Sequence, residues 1–182
     1  MAYFGGGPGY QPDSREFLWN VFRGIDRNGD GQINATELQH ALKNGSWTEF
    51  NPETVRLMIG MFDQDRNGTI DFHEFESLWN YVTEWSRTFR NYDLDNSGAI
   101  DKRELILALQ GFGYNVSDRI VNILMRRFDR SGTLEIRFDD FVQLCSVLRM
   151  LTDGFKRYDR QLNGWVDLGY EQFLTLVFSL RH

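Results

Sequence analysis

Apolar residues recur at helical spacing in short blocks, and each block gives way to a run of small, polar and acidic residues. Phe17, Leu18, Val21, Phe22 and Ile25 form the first stripe, after an Asp13…Glu16 pair with the spacing of a capping box. Residues 75–92 carry two stripes: Phe75, Leu78, Trp79, Val82 and Phe89, and Tyr81, Trp85 and Tyr92. Neither this stretch nor 141–158 contains a Pro or an early breaker, so each is predicted to be one continuous helix. Eighteen residues at 1.5 Å each make a rod of about 27 Å. Elsewhere the breakers are present. Lys43-Asn44-Gly45 reads as a helix C-terminus and Asn51-Pro52 as a cap followed by Pro at the first helical position. Gly111 and Ser117 mark a second stop and start. Residues 1–12, Gly- and aromatic-rich, are predicted to be a flexible segment ahead of a folded region over 13–182. Their Gly5-Gly6-Gly7 is no phosphate loop, since no Gly-Lys-Ser/Thr follows. The pattern predicts an all-α protein of eight or so helices.

The chemistry lies between the helices. Residues 26–37, 63–74 and 93–104 repeat one twelve-residue pattern. Position 1 is Asp26, Asp63 or Asp93, and positions 3 and 5 are Asn28 and Asp30, Asp65 and Asn67, or Asp95 and Ser97. Gly31, Gly68 and Gly98 stand at position 6, Ile33, Ile70 and Ile100 at position 8, and Glu37, Glu74 and Glu104 at position 12. This is the EF-hand arrangement, and its logic is geometric. Ca²⁺ is a hard ion that takes six to eight oxygens, so a short loop must wrap around it. Three side chains and the position-7 carbonyl, of Gln32, Thr69 or Ala99, supply the near ligands, and the Glu closes the sphere with two oxygens.

Two weaker copies follow. Residues 129–140 keep Asp129, Ile136 and Asp140, but Gly132 falls at position 4 and Leu134 stands where the turn Gly belongs. Residues 159–170 keep Asp159, Gln161, Asn163, Gly164 and Val166, with the Trp165 carbonyl at position 7. Tyr170 at position 12 cannot chelate, and Glu171 comes one residue late, rotated by about 100° around the helix. The fifth loop is therefore expected to be a weak metal site.

Loop starts at 26, 63, 93, 129 and 159 alternate long and short intervals, so the hands pair. Each loop has a short strand centred on position 8 that needs a partner. Ile33 is expected to meet Ile70, and Ile100 to meet Ile136. Val166 is left over, and a two-fold dimer through Val166, Tyr170, Phe173, Leu174, Val177 and Phe178 would satisfy it; the alternative is a fifth hand packed on its own chain.

The formal charge of −6 argues against a nucleic-acid partner, and three Ca²⁺ ions would bring it to zero. Cys145 is alone, which excludes an internal disulfide and suits a reducing compartment. No apolar run reaches the roughly 20 residues of a membrane helix, no signal-peptide pattern opens the chain, and Met1-Ala2 lacks the Gly of a myristoylation site. A cytosolic or nuclear protein is expected. His40, His73 and His182 have no ligand-like spacing, and no catalytic arrangement emerges from the sequence.

Five hands, a Gly/Pro-containing head and a fifth loop spoiled at position 12 resemble the penta-EF-hand family. The likeness runs from about residue 14 to 180, through Phe17-Leu18-Trp19-Asn20-Val21-Phe22, Phe50-Asn51-Pro52, Gly111-Phe112-Gly113-Tyr114, Phe138-Asp139-Asp140-Phe141 and Tyr170-Glu171-Gln172. An ordinary twelve-residue first loop favours one branch of that family. The resemblance implies a Ca²⁺-dependent adaptor that dimerises through its fifth hand, with its own copy or another family member. It also implies capture of Pro-rich segments of ESCRT-linked, COPII-coat or cell-death partners, and through them a peripheral place on ER or endosomal membranes. It makes Mg²⁺ an alternative ion at Asp159, Gln161 and Asn163. Two positions depart from that branch: the second loop is intact here, and Asn115 replaces an Arg after Gly-Phe-Gly-Tyr. The two stripes of the 75–92 helix are either core or a surface for such a peptide, with Phe75, Trp79, Trp85 and Phe89 as its candidates. A Ca²⁺ buffer and a regulatory subunit of a protease are the rival functions.

Overall fold

The computed structural model describes residues 15–42 and 49–179. The 1–12 segment, Asp13 of the capping pair and the Lys43-Asn44-Gly45 stop lie outside them. Eight helices are present among the described residues: α1 (Arg15–Ile25), α2 (Ala35–Ala41), α3 (Pro52–Phe62), α4 (Phe72–Tyr92), α5 (Lys102–Gly111), α6 (Asp118–Phe128), α7 (Phe138–Lys156) and α8 (Tyr170–Ser179). The two stretches without breakers are α4 and α7, unbroken over 21 and 19 residues.

The helix starts follow from side-chain chemistry. Asn34, Asp71 and Asp101, at loop position 9, each cap the next helix, and the Glu three residues on returns a bond to the cap N–H. Asn51 caps α3 through the Glu53 N–H, with Pro52 at the first helical position. At α6 Ser117 occupies the cap position without a side-chain cap bond, and Asp118 is drawn instead to Lys102 at 2.6 Å.

The loops pair as their position-8 residues require. Ile33 and Ile70 form an antiparallel bridge, with N···O distances of 2.8 and 2.9 Å. Strands β1 (Ala99–Ile100) and β2 (Ile136–Arg137) pair Ile100 with Ile136 and Ala99 with Arg137. Two apolar cores result. The first gathers α1, α2, α3 and the start of α4 around Phe22, Phe50, Met58 and Leu78; the second gathers α5, α6 and α7 around Leu105, Leu109, Phe141 and Leu144. Trp85 and Phe138 pack against both, so α4 and α7 join the lobes. No residue of α8 is buried. Among the described residues no helix is long and apolar enough to cross a membrane.

Candidate metal centres

Each of the first three loops is folded around its own acids. The carboxylate at position 1 accepts the N–H of the position-6 Gly: Asp26 from Gly31 at 3.0 Å, Asp63 from Gly68 at 2.8 Å, Asp93 from Gly98 at 3.0 Å. Those glycines have φ of +82° to +84°, a left-handed turn that a Cβ disfavours. At position 12 one glutamate oxygen accepts the position-2 N–H: Glu37 from Arg27 at 3.0 Å, Glu74 from Gln64 at 2.7 Å, Glu104 from Leu94 at 2.8 Å. The other oxygen accepts the N–H of the helix cap, Asn34, Asp71 or Asp101. All three glutamates are buried, a costly place for a carboxylate unless charge compensation is near.

One oxygen each from Asp63, Asp65 and Glu74 come within 4.8 Å of one another, and so do those from Asp93, Asp95 and Glu104. In the first loop Asn28 fills position 3, and its amide donates to Asp30 at 2.8 Å. Position-7 side chains join the first pair, since Thr69 Oγ1 contacts both Gln32 Oε1 and Asn67 Oδ1. Desolvation opposes ionisation of Asp63, but N–H donors at Gly68 and Asn67 outweigh it and hold its carboxyl below the usual range. The Ser97 hydroxyl and N–H do the same for Asp95. These hard-oxygen sets, gathered within one loop each, fit a divalent cation of the Ca²⁺ type.

The fifth loop keeps the backbone path, with Gly164 N–H on Asp159 at 2.9 Å and Asn163 Nδ2 on Gln161 at 3.1 Å. Tyr170 begins α8 and is exposed, as are Trp165, Phe173, Val177 and Phe178; Val166 and Leu174 are half-buried. This face is apolar and uncovered in the single chain.

The aromatic surface expected on α4 needs correction. Phe75, Trp79 and Phe89 are only 2%, 4% and 5% exposed and belong to the two cores. Trp79 lies edge-on to Phe17 and beside Phe75, which removes it from any ligand surface. Trp85 alone of the four remains accessible. It stands in a cleft of about 820 Å³ between the lobes, with Met61 of α3, Tyr81 of α4, Phe112, Tyr114 and Arg149 of α7. The second stripe therefore supplies the accessible aromatic side chains. The cleft's remaining walls come from distant segments with no local signal that they meet. Asn115, the departure noted in the sequence, is exposed and follows Tyr114 at this wall. Burial pushes the thiol of Cys145, which also borders the cleft, above its ordinary pKa.

Paired helix–loop–helix units with three acidic loops define a calcium-binding protein of the EF-hand class, and comparison with known proteins agrees. A family model described as an EF-hand domain pair matches residues 15–79 and 83–146. Human sorcin is 38% identical over 179 residues, covering 96% of this chain and 89% of sorcin. Sorcin from Schistosoma japonicum is 48% identical over 163 residues, covering 90% and 95%. Human peflin is 36% identical over 178 residues; they make up 97% of this chain but only 62% of peflin. A solved homolog of programmed cell death 6 protein from Leishmania major Friedlin superposes with a TM-score of 0.82 at 29% identity, covering 100% of this chain and 99% of its own. The chain belongs to the penta-EF-hand family of calcium-binding proteins.

Proposed function

We propose that the chain is a Ca²⁺ sensor and adaptor which pairs with a second penta-EF-hand chain and takes a Pro-rich peptide in the cleft at Trp85. Three ions bind strongly. The first uses Asp26, Asn28, Asp30, the Gln32 carbonyl and Glu37; the second Asp63, Asp65, Asn67, the Thr69 carbonyl and Glu74; the third Asp93, Asp95, Ser97, the Ala99 carbonyl and Glu104. Asp159, Gln161, Asn163 and the Trp165 carbonyl form a weak site open to Mg²⁺. The observation that carries the reading is the position of α4. It begins inside the second loop and ends at the third, and it holds Tyr81 and Trp85 against the cleft. Ions at its two ends act on the helix that walls the apolar opening. Aromatic clefts suit Pro-rich ligands, whose extended backbone loses little entropy on docking.

Fluorescence anisotropy of a labelled Pro-rich peptide tests this. Binding is expected with Ca²⁺ and not with chelator or Mg²⁺. Trp85→Ala should remove it while leaving Ca²⁺ binding intact, and Glu37→Ala with Glu104→Ala should abolish it. Ca²⁺ binding with no peptide or apolar-dye response would leave a buffer. Pairing is read by sedimentation: a dimer that Phe173→Asp converts to monomer supports it, and a monomeric wild-type chain at micromolar concentration refutes it. Membrane association, ESCRT-linked or COPII partners and the cytosolic or nuclear setting follow from this adaptor reading. A protease regulatory role would use the same α8 face for a different chain.

A further inference from the structure

In the first three hands, loop position 2 contributes only its backbone N–H to the closing acid. In the fourth hand it contributes a cation. Arg130 Nε lies 2.8 and 2.9 Å from the two oxygens of Asp140, and its Nη2 lies 2.5 Å from Asp139 Oδ2. Both aspartates are essentially buried, at 2% and 0% exposure. The other lobe adds to the cluster. Asn51 donates its side-chain Nδ2 to Asp140 and its backbone N–H to Asp139, each at 2.8 Å, and Thr54 Oγ1 donates to the Asp139 carbonyl at 3.2 Å.

The rest of the loop keeps the path of its metal-type relatives. Asp129 Oδ2 accepts the position-6 N–H of Leu134 at 2.8 Å, as the position-1 acids of the other loops accept theirs from Gly. Leu134 adopts φ +62° to do so. The loop is therefore wound, and a guanidinium is seated on its closing carboxylate. Two adjacent buried carboxylates need a cation within reach, and the rigid planar fork of Arg suits a two-acid site.

We infer that the fourth hand carries its own cation, Arg130, which closes the loop in place of a metal ion and holds Asp139 and Asp140 of α7 where Asn51 and Thr54 latch them to the start of α3, whether or not Ca²⁺ is present. The hand is then silent to Ca²⁺, and it fixes one end of the contact between the lobes while the other hands respond. The inference stands apart from the adaptor reading, since it concerns only this hand and the α3–α7 junction.

Thermal unfolding of the full chain with chelator, together with calcium calorimetry, tests it. Arg130→Gln should lower Tm in chelator by about 10 °C, because it takes the guanidinium away from two adjacent buried carboxylates. Adding Asp140→Asn to that variant should recover much of the loss. Asp140→Asn alone should leave the number of bound Ca²⁺ ions unchanged. If Arg130→Gln does not fold, the double variant decides: a folded chain supports charge pairing, and no recovery assigns Arg130 a packing role and overturns the latch. An unchanged Tm for Arg130→Gln in chelator, or a Ca²⁺ site lost in Asp140→Asn, also overturns it.

Discussion

The third and fourth loops face each other across β1 and β2 and each winds its position-6 N–H onto its position-1 aspartate, yet they solve opposite electrostatic problems. The third presents Asp93, Asp95 and Glu104 to a common point. The fourth has Asp140 under the Arg130 guanidinium and a hydrogen bond from Asn51. Loop winding and metal competence are thus separable. Winding needs a position-1 acid to gather N–H groups and a position-8 partner, and both loops have these. On the reading proposed above, metal competence needs acids not engaged by a protein cation: among the described residues Asp93, Asp95 and Glu104 have no ion pair, whereas Asp140 is held by Arg130.

The largest effects should come from the closing acids. Glu104→Ala removes two charged oxygens, each contact worth roughly 1.5–3 kcal/mol, and should delete one ion from the calorimetric stoichiometry. Asp140→Ala should delete none. Equal losses from the two variants would erase the distinction between the loops. By the same measurement Glu74→Ala should also delete one ion, since the second loop gathers its acids as the third does.

A second test strikes where α4 runs into the third loop. A Cβ on Gly111 would lie 2.0 Å from the Tyr92 hydroxyl, and Tyr92 immediately precedes Asp93. Gly111→Ala should cost about 1–3 kcal/mol in chemical denaturation and weaken the third site, with Tyr92→Phe restoring part of the loss. Tyr92 also lies edge-on to Phe112, which in turn meets Trp85, so the change should perturb Trp fluorescence. An unaltered emission spectrum would show that the contact is not transmitted.

The position-6 residues give a smaller contrast. Leu134 holds a left-handed conformation that costs an ordinary residue about 1–2 kcal/mol. Leu134→Gly should relieve the strain, less the added chain entropy of Gly, for a net gain under about 1 kcal/mol. Gly98→Ala should move stability the other way.

The smallest effect is in pH dependence, and it differs in sign between the loops. Burial and the neighbouring Asp139 raise the Asp140 carboxyl above its ordinary 3.8, against the pull of Asn51 and Arg130. In the window above 3.8 the folded state holds the extra proton, so this group's contribution to stability falls as pH rises. Asp95 is lowered by Ser97, so its contribution is present above 3.8 and is lost as pH falls through its depressed value. In metal-stripped protein, Asp140→Asn should flatten the first slope and Asp95→Asn the second. Slopes of one sign would contradict the contrast.

How much of this was legible in the sequence depends on how far apart the participating residues lie. A twelve-residue loop brings its own ligands together, so the three acidic loops, the decayed fourth and fifth, the caps at Asn34, Asp71 and Asp101, and the pairing of Ile33 with Ile70 and Ile100 with Ile136 could be read from spacing. Unbroken α4 and α7 followed from the absence of a breaker. Helical periodicity alone could not assign the two stripes of α4 to core or surface. That assignment came from what packs against each stripe: α1 covers Trp79, while the gap between α3 and α7 leaves Trp85 at a cleft. The role of Arg130 was equally hidden. Position 2 of such a loop is ordinarily a backbone donor, and the Asn51 that completes the cluster lies 88 and 89 residues from its acids. The chain order of ligands, turns and caps therefore determined that this protein binds calcium and how its hands pair. Only the tertiary structure decided which aromatic residues are free and which hand is closed from within, because burial and charge compensation depend on neighbours that the local sequence does not contain.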